Sequence, residues 1–265
     1  MSQQQTPPRT IQDIEAIEQV PLAERLTVGS TYELIQEMAA KDPERTAIAL
    51  PGGGERSDRS VRLSYGALLN GVHQTANLLT DLGVEPWDVI AELLPDLLEA
   101  HLLLWGGQAA GIVCPIHPCL PVEQTIALLR AAQAKVLVAP GPEVSQDLWR
   151  KAELLRREVE SINAVLQVQG PGNERDAIYA FDALLADYQA SRLLTGREIA
   201  SDDIAIYFHT TDTTGTPSCV PLTHGALLYA AWAFGLVTML APEEVLLRGL
   251  LRFFQGWWSA AGLTP

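Results

Sequence analysis

Basic residues are scarce in this chain: 18 Lys and Arg stand against 32 Asp and Glu, a formal net charge of −14 over 265 residues. A surface of that sign repels a phosphate backbone, which excludes a nucleic-acid partner. Cysteine is scarce too. Cys114, Cys119 and Cys219 are too few for the disulfide framework of a secreted domain. The opening stretch, MSQQQTPPRTIQDIEAIEQV, has no basic segment leading into an apolar run and shows no signal peptide. Long apolar runs are few. Residues 100–122 lack charge, but Gly106, Gly107, Pro115, Pro118 and Pro121 suit a buried strand and turn. Residues 225–242 fall within the roughly 17–25 residues of a membrane span, yet no Lys or Arg flanks them closely. A buried helix is the better reading, and the composition points to a cytoplasmic protein without a membrane span.

Several motifs are missing as well. The chain has no Walker pattern G-x-x-x-x-G-K-[ST] and no G-x-S-x-G nucleophile elbow. The glycines of PGGGERSDRS (51–60) lie between two strands, as in a hairpin, so they make no dinucleotide fingerprint. CPIHPC brings Cys114, His117 and Cys119 together without zinc-knuckle spacing or a second Cys/His pair, and reads as core and turn. No internal repeat is visible.

What is present is a core: 48% of residues are hydrophobic and 19% charged. Residues 1–29 read as a polar N-terminal arm. From Thr31 helices and strands alternate. TYELIQEMAAKDP is a helix behind a Thr/Ser cap, ended by Pro43. TAIAL (46–50) and VRLSY are strands. Ser64 caps the helix YGALLNGVHQTANLLTDL, which Gly83 closes. Strands are expected at 88–94, at GIVCPIH, and at 135–139, 164–168 and 202–208, with helices over 96–110, 121–133 and 146–160. Crossovers of this length imply an α/β fold with a mainly parallel sheet, and continuous apolar strands such as KVLVA imply helices on both faces. The carboxylates of 143–160 and 174–187 read as solvated helix faces.

The stretch IYFHTTDTTGTPSCVPLTH (206–224) runs from a strand through a loop of small hydroxyl residues into a second strand and a helix. Ligands of open α/β sheets bind beyond the carboxyl ends of strands, where this loop falls. Its backbone N–H groups, with the hydroxyls of Thr210, Thr211, Thr213 and Thr214, can cradle phosphate oxygens.

The loop resembles that of the AMP-forming, adenylate-forming ligases, which carry T-S-G-T-T-G-x-P-K-G-V followed by L-T-H. Thr210, Thr211, Asp212, Thr213, Thr214, Gly215, Thr216, Pro217, Ser218, Cys219 and Val220 take that place, and Leu222-Thr223-His224 follow. Upstream, LSYGALLNGVHQTANLLTDLGVEPWDVIAELLPDLLEAHLLLWGGQAAGIVCPIHPCL is similar to the family's early region. The resemblance spans roughly residues 30–265, and His209 in the loop's FHT approach looks most like acyl-CoA synthetases. It implies the incomplete N-terminal part of an adenylate-forming domain, built of layered, mainly parallel sheets flanked by helices. It also implies ATP, Mg2+ and CoA as cofactors and a carboxylic acid, such as a fatty acid, as substrate. Relatives form an acyl-adenylate with loss of pyrophosphate, then pass the acyl group to the CoA thiol.

Departures from the pattern set further expectations. The family's central loop glycine is Asp212, its lysine is Ser218, and the next glycine is Cys219. L-P-L-F-H, at the acyl pocket, looks like Leu251-Arg252-Phe253-Phe254-Gln255, which makes Phe254 and Gln255 the pocket candidates. A carboxylate about 4 Å from a phosphate charge costs about 4 kcal/mol at a dielectric near 20. Losing a charge-assisted bond from lysine costs roughly 1.5–3 kcal/mol more. Together these weaken ATP binding by roughly three to five orders of magnitude. An alternative is that Asp212 holds a Mg2+ ion that bridges to the nucleotide. The aromatic residues Phe253, Phe254, Trp257 and Trp258 either line an acyl pocket or are core surface. His224 reads as packing or capping, and His73 and His101 as partly buried helix residues.

The family's later motifs and C-terminal domain, with its lysine, have no counterpart here. The reading is an acyl-CoA synthetase N-terminal portion, inactive alone, with a partner chain as one source of the missing part. The alternatives are a non-catalytic binding or regulatory module and a degenerate, truncated gene product.

Overall fold

Strands with apolar residues at every position need cover on both sides, and the chain supplies it. The computed structural model describes residues 9–19, 21, 24, 26–50, 61–211 and 217–238. Helix α1 (Ile11–Glu18) lies in the N-terminal arm, and α2 (Thr31–Lys41) begins where Ser30 Oγ accepts from Glu33 N at 3.1 Å. Strands β1 (Thr46–Leu50) and β2 (Val61–Ser64) pair antiparallel as a separate two-stranded sheet. Ser64 Oγ then caps α3 (Tyr65–Asp81) through Ala67 N, and Gly83 leaves that helix at φ +82°, a conformation glycine adopts without strain.

The alternating part follows: β3 (Val89–Glu92), α4 (Leu98–Ala110), β4 (Ile112–Pro115), α5 (Val122–Ala132), β5 (Ala134–Pro140), α6 (Gln146–Glu158), β6 (Ala164–Val168), β7 (Ile178–Ala180) and α7 (Phe181–Leu185). Then come β8 (Ile204–Thr211), β9 (Pro217–Thr223) and α8 (His224–Thr238). The seven strands β3 to β9 form one sheet in the order β7-β6-β5-β3-β4-β8-β9. Every pair is parallel except β8–β9 at the edge.

Alternation along β5 shows how the layers form. Val136 and Val138 point into a cluster with Leu79 and Leu103 of α3 and α4, while Leu137 and Ala139 join Leu129 and Leu155 of α5 and α6. Each fully buried Val or Leu contributes about 1.5–3 kcal/mol of apolar burial. Gly106 and Gly107 lie inside α4 and do not break it. A Cβ on Gly106 would sit 2.5 Å from Thr75 Cβ, so the missing side chain is what lets α3 and α4 cross so closely.

Residues 174–187 are not a helix face. They form a 3-10 turn (Glu174–Asp176), the edge strand β7 and the short α7, because Ala177 turns the chain at φ +53° and residues 178–180 pair with β6. Two of their carboxylates are engaged: Asp176 accepts from Asn173 Nδ2 at 2.6 Å and Asp182 from Gln169 N at 2.5 Å. Helix α3 also straps the irregular segment after α7. Asn77 Nδ2 donates to the carbonyls of Gln189 and Arg192, and Asn77 Oδ1 accepts from Leu194 N. His73 joins the strap, with Nδ1 2.7 Å from Ala190 O and Nε2 2.8 Å from the Tyr32 hydroxyl, and burial holds its pKa below the usual value.

Among the described residues no helix is long and apolar enough to cross a membrane. Helix α8 buries Leu227, Leu228 and Ala231, which agrees with a buried helix beginning near 225.

Candidate functional site

β8 runs parallel to β4, so its carboxyl end opens on the same side of the sheet as those of β3, β5 and β6. Ala205 and Ile206 anchor its first half in the core at zero exposure, and the second half rises into solvent, where Thr210 is exposed. β9 returns antiparallel with Thr210 opposite Ser218, His209 opposite Cys219 and Thr211 opposite Pro217. Proline donates no N–H. Pro221 therefore cannot donate to Tyr207 across the ladder, and in an antiparallel alternation this makes Phe208–Val220 and Thr210–Ser218 the mutually hydrogen-bonded pairs. Positions 217, 219 and 221 turn their backbone toward the open edge.

Asp212, Thr213, Thr214, Gly215 and Thr216 lie outside the described residues, as do Phe254 and Gln255. What the structure places is the two arms that carry the loop. Ser218, the residue that the resemblance sets against a lysine, is exposed on β9. His209 is half-buried, and its pKa is held down by burial and then by the neighbouring His117. Burial raises the thiol pKa of Cys219, and raises that of Cys114 further, with Cys219 adding to it. Cys114 on β4 and Cys219 on β9 have β8 between them. Two strand spacings are about 9.6 Å, too far for the Cα atoms of a disulfide.

The CPIHPC turn closes over the same end. His117 Nδ1 accepts from Cys119 N at 3.1 Å, and Lys151 Nζ donates to the carbonyls of Pro118 and Leu120 at 3.2 and 2.5 Å. Burial lowers the pKa of Lys151. That ammonium is committed to the turn. Among the described residues no group of three His, Cys, Asp or Glu side chains is arranged to hold a metal ion. A cleft of about 480 Å³ lies elsewhere, beside β7 at the opposite rim of the sheet, where Trp149, Glu153, Arg156, Arg157 and Asp176 line it.

At the foot of the hairpin the chain is fastened twice through its backbone. His224 N donates to Asp203 O at 3.0 Å, and Gly225 N to Ser201 O at 2.8 Å. His224, the first residue of α8, is fully buried. Its Nδ1 accepts from Thr31 N at 3.3 Å and lies 2.8 Å from Thr31 Oγ1, at the start of α2. Sequence reasoning placed His224 at this helix start. It did not find Thr31 or Gln108, which reach it from 193 and 116 positions away in the chain, because contacts over such distances leave no local pattern.

The profile of the AMP-binding enzyme family matches residues 35–250. The chain is 30% identical over 223 residues to a marinolic acid–CoA ligase from Pseudoalteromonas sp. (strain SANK 73390), covering 84% of this chain and 34% of that protein. Its fold is similar to an acyl-CoA synthetase from Brucella canis, with a TM-score of 0.77 and 17% identity over 95% of this chain and 46% of that one. An acetoacetyl-CoA synthetase from Streptomyces lividans superposes with a TM-score of 0.76 and 19% identity, over 88% of this chain and 36% of that one. The chain thus spans about a third of the length of the curated ligase it matches. With the match running from α2 past the hairpin, the chain belongs to the AMP-binding enzyme family.

Proposed function

We propose that residues 30–265 are the N-terminal part of the AMP-binding domain of an acid–CoA ligase, preceded by an arm over 1–29. The β8–β9 hairpin presents its phosphate loop, residues 210–218. In this reading a carboxylate of the substrate acid attacks the α-phosphorus of ATP and pyrophosphate leaves. The thiol of CoA then displaces AMP from the acyl-adenylate. Mg2+ supplies charge neutralisation on the triphosphate when bound.

The chain's own contribution to that chemistry is weak. The observation that carries this is the Thr210–Ser218 pair, which sets two neutral hydroxyls where the resemblance expects a lysine. With Asp212 as the neighbouring anion, the loop offers a triphosphate hydrogen bonds but no balancing cation. These residues alone therefore grip Mg·ATP poorly and do not activate an acid, and full activity draws on groups outside residues 1–265.

Calorimetric titration with ATP, with and without Mg2+, tests this together with acid-dependent exchange of pyrophosphate into ATP. The expected result is a dissociation constant above about 1 mM in both titrations and no exchange. Micromolar Mg2+-independent affinity would sink the reading. Micromolar affinity only with Mg2+ would instead make Asp212 a metal ligand.

A further inference from the structure

The contacts of His224 form a buried polar chain that the loop chemistry leaves unused. Three elements meet there: the start of α8 through His224, the start of α2 through Thr31, and α4 through Gln108. All three side chains are almost fully buried. Thr31 Oγ1 is 2.8 Å from Gln108 Oε1 and 2.8 Å from His224 Nδ1. One hydroxyl proton cannot serve two acceptors. Turning the Gln108 amide over resolves the competition: its NH2 donates to Oγ1, and Oγ1 donates to Nδ1. That assignment also gives a partner to Gln108 Nε2, a buried nitrogen otherwise without one. Since Thr31 N also donates to Nδ1, the ring proton sits on Nε2. The imidazole is thus a neutral acceptor at Nδ1.

This chain sits at the foot of a lever. β9 extends seven residues from His224 to Pro217, roughly 20 Å at about 3.3 Å per residue. A tilt of about 5° at the foot moves the far end by about 2 Å over that length. The tie across β8–β9 holds the two arms to each other, but says nothing about how the pair stands against the rest of the sheet. β4–β8 supplies a single registered partner pair, Val113 with Ile206, and above it the hairpin is steadied by side-chain packing of Tyr207 and Cys219 on the α5–α6 face.

We propose that His224 is a positioning residue for the loop. By tying the foot of the hairpin to α2 and α4, it sets where Thr210 and Ser218 stand relative to the sheet. The proposal rests on the hairpin being the nucleotide site, but it is read without nucleotide, so the two fail separately.

The experiment is residue-resolved amide hydrogen exchange on the full chain. In His224→Leu, exchange at Thr210 and Ser218 speeds by about two- to tenfold, the worth of one net hydrogen bond, while amides of β5 and β6 change less than twofold. Thr31→Val gives the same pattern from the other side of the contact, and serves if the leucine variant does not fold. His224→Asn, whose Oδ1 takes the place of Nδ1, returns the wild-type rates at Thr210 and Ser218. Uniform acceleration of β5, β6 and the hairpin overturns the proposal, because it reports stability alone. Unchanged hairpin rates overturn it as well, as does an asparagine variant that behaves like leucine.

Discussion

The sheet interior and the β8–β9 hairpin solve the same problem in opposite ways. β5 is held on both faces by apolar side chains from four helices, and its order comes from burial that no single contact dominates. The hairpin is fully buried over Ala205 and Ile206 and partly packed at Tyr207, Phe208, Cys219 and Leu222, and beyond that relies on one ladder and a few polar fastenings at its foot. Burial is spread over many atoms and forgiving of detail. Hydrogen-bonded fastenings are few, directional and open to substitution one at a time. Chemistry placed on the second kind of support is easily retuned.

The comparison is sharpened most by restoring the loop. Asp212→Gly combined with Ser218→Lys should tighten Mg·ATP binding by roughly three to five orders of magnitude, since it removes an anion and returns a charge-assisted donor. Calorimetry reads the affinity, and the melting temperature should stay close to that of the parent because none of the core is touched. On the other side, Leu129→Ala empties a fully buried site between α5 and the sheet. It should cost about 2–5 kcal/mol in urea unfolding and leave any residual nucleotide affinity per folded molecule unchanged.

Acid should expose the polar fastening next. Burial, with Arg197 adding to it and Asp203 opposing it, pushes the pKa of His224 down to about 4. The unfolded chain, with an ordinary imidazole, then binds more protons than the folded one between about pH 6.5 and 4. Stability is fully present above that window and falls as pH drops through it. His73 shifts in the same direction. Urea midpoints should therefore decline from pH 7 to pH 5, and His224→Asn should remove part of that slope. The smallest effect is expected at Ser64, whose hydroxyl caps α3. Ser64→Ala should cost about 1 kcal/mol of stability and leave both loop and fastening as they were.

The interior was legible in the sequence because its signals are local. KVLVA announces a strand covered on both faces, Ser64 and Gly83 bracket a helix, and the βα alternation fixes the parallel sheet. The two strands and the helix start that flank the expected phosphate loop were legible from the small residues between them and the Leu222-Thr223-His224 that follows, while residues 212–216 lie outside the described residues. Two things were not. The carboxylates of 174–187 suggested a helix face because their spacing is compatible with one, but Ala177 at positive φ and pairing with β6 decided otherwise. Gly106 and Gly107 looked like breakers, yet tertiary contact with α3 and β4 makes small residues a requirement at that point of a helix. The partners of His224 were invisible for a related reason: Thr31 and Gln108 are ordinary residues until folding brings them beside the ring.

The two prolines of β9 bear on how the molecule behaves among its neighbours. Among the described residues β9 forms one rim of the sheet, and β7, only three residues long, forms the other. A stray extended peptide seeking to zip onto the β9 rim meets nitrogens without hydrogen at Pro217 and Pro221, which leaves few amides along that rim able to give to it. Among the described residues, strand accretion onto the seven-stranded sheet is thereby starved at both rims.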